Sequence, residues 1–266
     1  GGPAFPPRFS GMGGPAPAKY SEELWEQPRQ EKGLRLLGEL LGEGFSRWQY
    51  VLQDDSRRSY AGYMKSPFPA EQCKAFFEAV RDGTSWKQPS GNNGPIPRKT
   101  AFLTSQGCTC TYGYGGILVE AEAYPPWMTK LLALTMPYCG ITNPSDWPNC
   151  CNANLYEHGG MSVGWHSDDE RLFQGKFQDI LIVSLSLGVP RRFELRYNFP
   201  DDGDPGGGVR RIMLSSGDLM TMEGMTQKHM QHRIPKEGVV HGSRINLTWR
   251  WVIKHTPRCP AGRIRR

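Results

Sequence analysis

The stretch Trp165-His166-Ser167-Asp168-Asp169-Glu170-Arg171 sets an imidazole two residues ahead of a carboxylate, with two further acids behind it. On an extended chain, residues i and i+2 point to the same side. His166 and Asp168 can therefore address one ion from one direction, with a neutral nitrogen and an anionic oxygen. Divalent iron with open coordination positions takes two such nitrogens and one carboxylate on a single face. A further histidine must come from elsewhere, and His158, His229, His232, His241 and His255 are the candidates. Of these, His232 stands in HMQHRIP, an extended segment directly after GDLMTM, where a later strand can lie across from the first.

A second pattern lies downstream in RINLTWR, residues 244–250. Strand alternation puts Arg244, Asn246, Thr248 and Arg250 on one face and Ile245, Leu247 and Trp249 on the other. An inward row with two guanidiniums is costly in a core unless an anion compensates it. A dicarboxylate suits, because guanidinium forks bind carboxylates bidentately.

The elements that must position these groups are legible along the chain. FPAEQCKAFFEAVRDG (68–83) predicts a helix, with Pro69 at its start, apolar residues at spacings of three and four, and Gly83 after its end. YPPWMTKLLALTMPYCG (124–140) predicts a second helix, entered through prolines and closed by Gly140. RKTAFLT and CTCTYGYGG read as strands, separated from the first helix by the breaker-rich loop SWKQPSGNNGPIP. From Asn149 onward, CCNANLYEH, DILIVSLSLG, RRFELRYNF, VRRIMLSSGDLMTM, HMQHRIP and SRINLTWRWVIK are short β-rich runs between turns, including the Gly- and Asp-rich PDDGDPGGG. Many short strands after two helices predict a mostly β, α+β fold: a sandwich or jelly roll with flanking helices.

The 266 residues suit one large domain. Residues 1–52 read as a loose N-terminal extension, in which GLRLLGELLGEGF offers one short amphipathic helix. Residues 53–256 form the expected domain, and 257–266 a basic tail. The net charge of +6 is compatible with a polyanionic partner. No apolar run approaches the roughly 18 residues of a membrane-spanning helix. The N-terminus lacks the charged-then-apolar order of a secretory signal. Seven cysteines include the close pairs Cys108/Cys110 and Cys150/Cys151, and no CxxC repeats at zinc spacing. Buried or incidental thiols in a reducing, intracellular compartment are expected.

From about Pro97 to Trp251 the chain resembles the AlkB-type dioxygenases, and most of all the animal nucleic-acid repair members of that family. The likeness rests on ordered pieces: PRKTAF, TYGYGG, NLY ahead of HSDDE, SLSLG, RRFELR, SGDLMTM, HMQHRIP and RINLTWR. The resemblance implies a double-stranded β-helix that holds Fe(II) by His166, Asp168 and His232. Asn154, Tyr156, Arg244, Asn246 and Arg250 would surround 2-oxoglutarate, with Arg244 on its distal carboxylate and Arg250 nearer the end that chelates iron. His229 would stand behind the ligands, whereas His158, His241 and His255 are given no role.

The implied chemistry couples O2 and 2-oxoglutarate to oxidation of an N-methyl group, releasing succinate, carbon dioxide and formaldehyde. The substrate would be DNA or RNA carrying bases of the 1-methyladenine or 3-methylcytosine kind. RNA demethylation, or nucleic-acid binding without catalysis, is the alternative. A base taken out of its stack needs an aromatic slot and polar contacts to its edge. In TYGYGG, Tyr114 would stack on the base against His166 with Tyr112 reaching a base edge, and Asp169 and Glu170 would accept from an exocyclic amine. Gly115 departs from the serine common in close relatives. A monomer in the nucleus or cytoplasm, without membrane contact, completes the expectation.

Overall fold

The alternation read in Arg244–Arg250 sorts side chains onto the two faces of a sheet, and the same sorting organises the whole domain. The computed structural model describes residues 47–105, 107–198 and 208–262. Its strands are β1 (Gln49–Asp54), β2 (Ser59–Met64), β3 (Ser90–Gly91), β4 (Gly94–Pro95), β5 (Lys99–Thr104), β6 (Tyr112–Tyr114), β7 (Ile117–Val119) and β8 (Ala121–Ala123). They continue with β9 (Cys150–Tyr156), β10 (Val163–His166), β11 (Ile180–Gly188), β12 (Arg191–Tyr197), β13 (Arg210–Leu214), β14 (Leu219–Gly224), β15 (Met230–Ile234) and β16 (Arg244–Arg250).

Eight strands form the major sheet in the order β1-β2-β14-β11-β16-β9-β5-β8, antiparallel except where β5 meets β8. Four more form the minor sheet, β10-β15-β12-β13. The fold is a mostly β jelly roll with helices on the outer side of the larger sheet, as the sequence predicts.

Helix α1 (Ala70–Asp82) starts after Pro69 and buries Cys73, Phe76 and Val80, one stripe at spacings of three and four. Helix α2 (Pro126–Thr135) carries proline at its first positions and buries Met128, Leu131, Leu132 and Thr135. A 3-10 turn (Met136–Cys139) extends it, and Gly140 ends the run at φ 75°, a left-handed conformation that glycine adopts without steric cost. A third, one-turn helix, α3 (Thr226–His229), links β14 to β15.

The two faces of the major sheet meet different partners. Ile245, Leu247 and Trp249 of β16 and Val183, Leu185 and Leu187 of β11 pack with the helices in one apolar cluster. Ile182, Phe102, Met220 and Met222 face the minor sheet and join Phe193, Leu195, Met230 and Ile234 in another. The residues of β16 left over by the first cluster, Arg244, Asn246, Thr248 and Arg250, line a cavity between the sheets.

Several expectations need correction. The structured domain starts before residue 53, because β1 begins at Gln49 and the buried Trp48 donates from its indole to the Tyr138 carbonyl at 3.0 Å. The boundary at 52/53 therefore falls inside a strand whose edge is locked by a tertiary contact. CTCTYGYGG becomes a strand only from Tyr112, since Cys108 and Cys110 turn toward the C-terminal segment. The loop SWKQPSGNNGPIP contains the small β3-β4 ribbon, and Trp86 packs against the core with its indole bonded to the Arg81 carbonyl. Within the basic tail, the described residues end in a 3-10 turn, Pro260–Gly262. The helix expected in GLRLLGELLGEGF, residues 199–207 of the Gly- and Asp-rich turn and the last four residues of the tail lie outside the described residues. Among the described residues no helix is long and apolar enough to cross a membrane.

Leu247 is fully buried between α1, α2 and the sheet, so Leu247→Ala should lower the unfolding free energy by about 2–5 kcal/mol. Val239→Ala, at a side chain 88% exposed, should stay within about 0.5 kcal/mol of the parent. Urea denaturation of the two variants tests the layer assignment, and equal midpoints would contradict it.

Candidate metal centre and anion pocket

Register places the histidines. Strand β10 pairs with β15 so that His166 lies directly opposite His232, and their rings stand 4.1 Å apart between centroids. Asp168 follows two residues after His166 and turns its Oδ1 to within 3.6 Å of His166 Nε2 and 3.9 Å of His232 Nε2. The ligand atoms of all three residues lie within 4.8 Å of one another. Of the candidate histidines, His232 is the one that joins the pair.

The protonation states suit a cation. His166 Nδ1 is 2.8 Å from the Gly164 carbonyl, which fixes the N–H there and leaves Nε2 as a lone pair facing Asp168. Burial, and then the neighbouring His166, push His232 down to about 3, so its ring is neutral. Burial alone would push the Asp168 carboxyl up, but the Arg250 guanidinium beside it holds it well below the usual carboxylate range. Asp168 Oδ2 accepts from Arg250 Nη2, its backbone N–H donates to Gln227 Oε1 at 2.8 Å, and its Oδ1 has no hydrogen-bond partner among the described residues. An ionised buried oxygen left facing two imidazole lone pairs is a cation site in want of its charge.

The arginines supply the complementary imbalance. Strand β16 lies between β11 and β9, so its inward row is flanked by polar residues on both sides. Asn246 pairs with Ser186 and Asn154, and Thr248 with Ser184 and Asn152. Arg244 is 1% exposed and donates to Ser186 Oγ at 2.8 Å and Asn246 Oδ1 at 3.1 Å, while its Nε and Nη1 have no hydrogen-bond partner among the described residues. Burial pulls its pKa down to about 10. The ring of Tyr156 walls the same end, 5.5 Å from the guanidinium. Arg250 sits at the metal end, with Nε and Nη1 likewise unmatched. Two buried guanidiniums with unmatched N–H groups fit an anion that reaches from the metal toward Arg244.

The family model described as the 2OG-Fe(II) oxygenase superfamily matches residues 60–250. The chain belongs to that superfamily. Among curated proteins it is 37% identical over 185 residues to the alpha-ketoglutarate-dependent dioxygenase alkB homolog 3 of Bos taurus, covering 68% of this chain and 62% of that protein. To the DNA oxidative demethylase ALKBH2 of Arabidopsis thaliana it is 28% identical over 214 residues, covering 72% of this chain and 66% of that protein. The solved structure of OsALKBH1 superposes with a TM-score of 0.50 at 18% identity, over 77% of this chain and 99% of that one, a likeness of fold.

The cofactors of this 2OG-Fe(II) oxygenase are Fe(II), 2-oxoglutarate and O2. The residues present fit them: His166, Asp168 and His232 would hold the iron, and the polar face of β16 with Asn154 and Tyr156 would hold the dicarboxylate.

Asp169, Glu170 and His229 take distinct places around the site. Glu170 lines the cavity half-buried, its buried Oε2 without a hydrogen-bond partner among the described residues, and the Tyr112 hydroxyl donates to its carboxylate. Asp169 also lines the cavity but forms an ion pair with Lys176. His229, expected behind the ligands, does not line the cavity, and Gln227 of the same one-turn helix accepts from the Asp168 N–H. Three contributors escaped sequence reasoning: Gln227, Ser186 and Arg98, whose Nε donates to Asn154 Oδ1 at 3.1 Å. Their roles depend on cross-strand neighbours, and no local spacing marks them.

Asp168→Ala should remove stoichiometric Fe(II) binding and abolish conversion of 2-oxoglutarate to succinate; metal titration and succinate assay of the folded variant read both, and full turnover would reject the ligand set. Arg244→Ala removes a charged clamp worth roughly 1.5–3 kcal/mol. The half-saturating 2-oxoglutarate concentration should therefore rise about ten- to a hundredfold, and an unchanged value would move the anion elsewhere.

Proposed function

We propose that this oxygenase removes N-linked methyl groups from nucleobases in DNA or RNA, acting best on cationic lesions such as 1-methyladenine and 3-methylcytosine. The observation that carries the reading is a pair of aromatic rings and the half-buried carboxylate of Glu170 in the same cavity as the metal triad. The cavity, about 610 Å³, is lined by both groups, a size suited to one base plus a small co-substrate. Tyr112 and Tyr114 stand 4.8 Å apart between ring centroids, and Tyr112 stacks on Phe102 at 5.0 Å. A base must leave its stack to reach a buried centre, and such rings replace its stacking partners.

The bound metal and co-substrate supply the oxidising power. The protein's share is placement. Arg244 and Asn246 orient the dicarboxylate, Tyr114 fixes the plane of the base, and Glu170 accepts from its edge. Burial and then the charge of Asp168 push Glu170 up to about 7. A cationic base lowers the cost of ionising it, which favours the methylated, charged lesion over a neutral base. At the cavity rim Trp165 is flanked by the guanidiniums of Arg196 and Arg233, 4.1 and 4.5 Å from its ring centroid. That cationic rim suits a phosphate backbone. The names of the two curated relatives, an alkB homolog and a DNA oxidative demethylase, agree with the reading. Action as a monomer in the nucleus or cytoplasm is part of the same proposal.

Formaldehyde and succinate release from matched DNA and RNA oligonucleotides carrying 1-methyladenine, 3-methylcytosine or 6-methyladenine tests the proposal. Equal amounts of both products from the cationic lesions are expected. Succinate without formaldehyde would retain the oxygenase and reject these substrates. Loss of the stacking ring in Tyr114→Ala should cost about 1–3 kcal/mol of base binding. KM for the oligonucleotide should rise while the 2-oxoglutarate requirement stays constant; a shift in the latter alone would place Tyr114 outside the base slot.

A further inference from the structure

Four side chains remote in sequence meet beside the tyrosine ribbon and take no part in the iron site. Cys108 and Cys110 lie just ahead of β6, whereas His255 and Cys259 lie beyond β16, with 145 residues separating Cys110 from His255. The three thiols are buried and His255 is half-buried. From spacing alone these thiols are expected to be buried or incidental and His255 to have no role; the fold buries the thiols and brings all four side chains together.

His255 Nδ1 lies 3.6 Å from Cys108 Sγ, 3.5 Å from Cys110 Sγ and 3.3 Å from Cys259 Sγ. The sulfurs of Cys108 and Cys259 are 3.8 Å apart. A disulfide needs about 2.05 Å between sulfurs, so these atoms form no such bond. For tetrahedral zinc, with Zn–S about 2.3 Å and Zn–N about 2.0–2.1 Å, the sulfur–sulfur edge is about 3.8 Å and the sulfur–nitrogen edge about 3.6 Å. The observed edges are those of that tetrahedron.

The backbone around the cluster is also arranged for charged sulfur. The Thr109 N–H points at Cys259 Sγ at 3.4 Å, and the Thr256 N–H at Cys110 Sγ at 3.3 Å. Donors aimed at ligand sulfurs stabilise the thiolate form that a metal requires. The turn that presents Cys259 is closed by Gly262 N–H on the Cys259 carbonyl at 3.2 Å. A Cβ on Gly262 would come 2.8 Å from His255 Cβ, so the chain can pass His255 this closely only without a side chain.

We propose that Cys108, Cys110, His255 and Cys259 form a closed structural zinc site, distinct from the iron centre. Thiolates select zinc over iron(II) among the available divalent ions, and four protein ligands leave no open position. On binding, each thiol gives up its proton to solvent and no electron is transferred. The site acts as a clip. Cys110 stands two residues before Tyr112, and His255 five residues after Arg250, so one ion ties the aromatic ribbon to the end of the arginine strand. Ahead of His255 the segment is held by backbone bonds, Ile253 and Lys254 both donating to the Leu172 carbonyl at 2.8 and 3.1 Å. Beyond it the cluster carries the attachment.

The test is elemental analysis of the full chain, expressed with zinc supplied and purified under reductant. One zinc per chain is expected, retained in Asp168→Ala and lost in the Cys110→Ser, Cys259→Ser double variant. Cobalt(II) exchanged into the parent protein should show the visible bands of a tetrahedral site with thiolate-to-cobalt charge transfer, a readout that needs no variant to fold. Zinc far below one per chain without a thiolate–cobalt band overturns the proposal. So does zinc that departs with Asp168, or a Cys108–Cys259 disulfide found by mass spectrometry in the reduced preparation. Because succinate formation is read separately, failure of the zinc site and failure of the iron site are distinguishable.

Discussion

A guanidinium shut between two sheets has to be answered by acceptors or by an anion, and that requirement governs how this domain is read. Two fully buried arginines show the two solutions. Arg191 is bonded to Glu237 and to the carbonyls of Gly159, Met161 and Pro235, a set that satisfies its fork inside the protein. Arg244, buried as deeply, donates to the neutral oxygens of Ser186 and Asn246, and its Nε and Nη1 have no hydrogen-bond partner among the described residues. The first is structural cement between β12 and the loop after β15. The second has the form of a binding group, its remaining N–H groups without a partner among the described residues.

The same reasoning explains why the cavity needs both sheets. The minor sheet carries the histidines, paired across β10 and β15, and the major sheet carries the arginines on β16. Asp168 is the hinge of the charge balance: one carboxylate oxygen faces Arg250 and the other faces the two imidazoles. A dication and a dicarboxylate introduced together complete both halves, so neither half is properly compensated alone. Ligands that bind only the folded arrangement add to its stability by mass action, and the polar lining between otherwise apolar layers is sustained in that way.

How much of this was legible in sequence depended on the range of the interactions. His166 with Asp168, and Arg244 through Arg250, are written at strand spacing, so their shared faces follow from alternation alone. The helices over 70–82 and 126–135 were equally plain, because their caps and apolar stripes are local. Gln227 was not legible, since its contact to Asp168 is set by the one-turn helix between β14 and β15. Nor was the cysteine cluster: a C-x-C and an H-x3-C separated by most of the domain carry no zinc spacing until the jelly roll brings them together. Asp169 shows the limit from the other side, because the acid cluster advertised three similar carboxylates and the fold gave each a different partner: Arg250, Lys176 and Tyr112.

On the demethylase reading, that division of three acids would give the cavity a preference by charge. Asp168 is held ionised by Arg250, and its negative charge, added to burial, raises Glu170 toward neutrality. Asp169 is turned to Lys176 and contributes less. Glu170 is therefore the carboxylate whose ionisation responds to what enters. A neutral base leaves it in a buried, acid-flanked environment where the proton is retained in part, and Tyr112, itself kept protonated by burial, continues to donate to it. A cationic base reverses the balance: it meets an anion already partly prepared and draws Glu170 fully into the charged state. On the demethylase reading, the energy of that neutralisation is gained only by the lesion whose methyl group has also given the base its charge, so recognition and damage are read by one carboxylate.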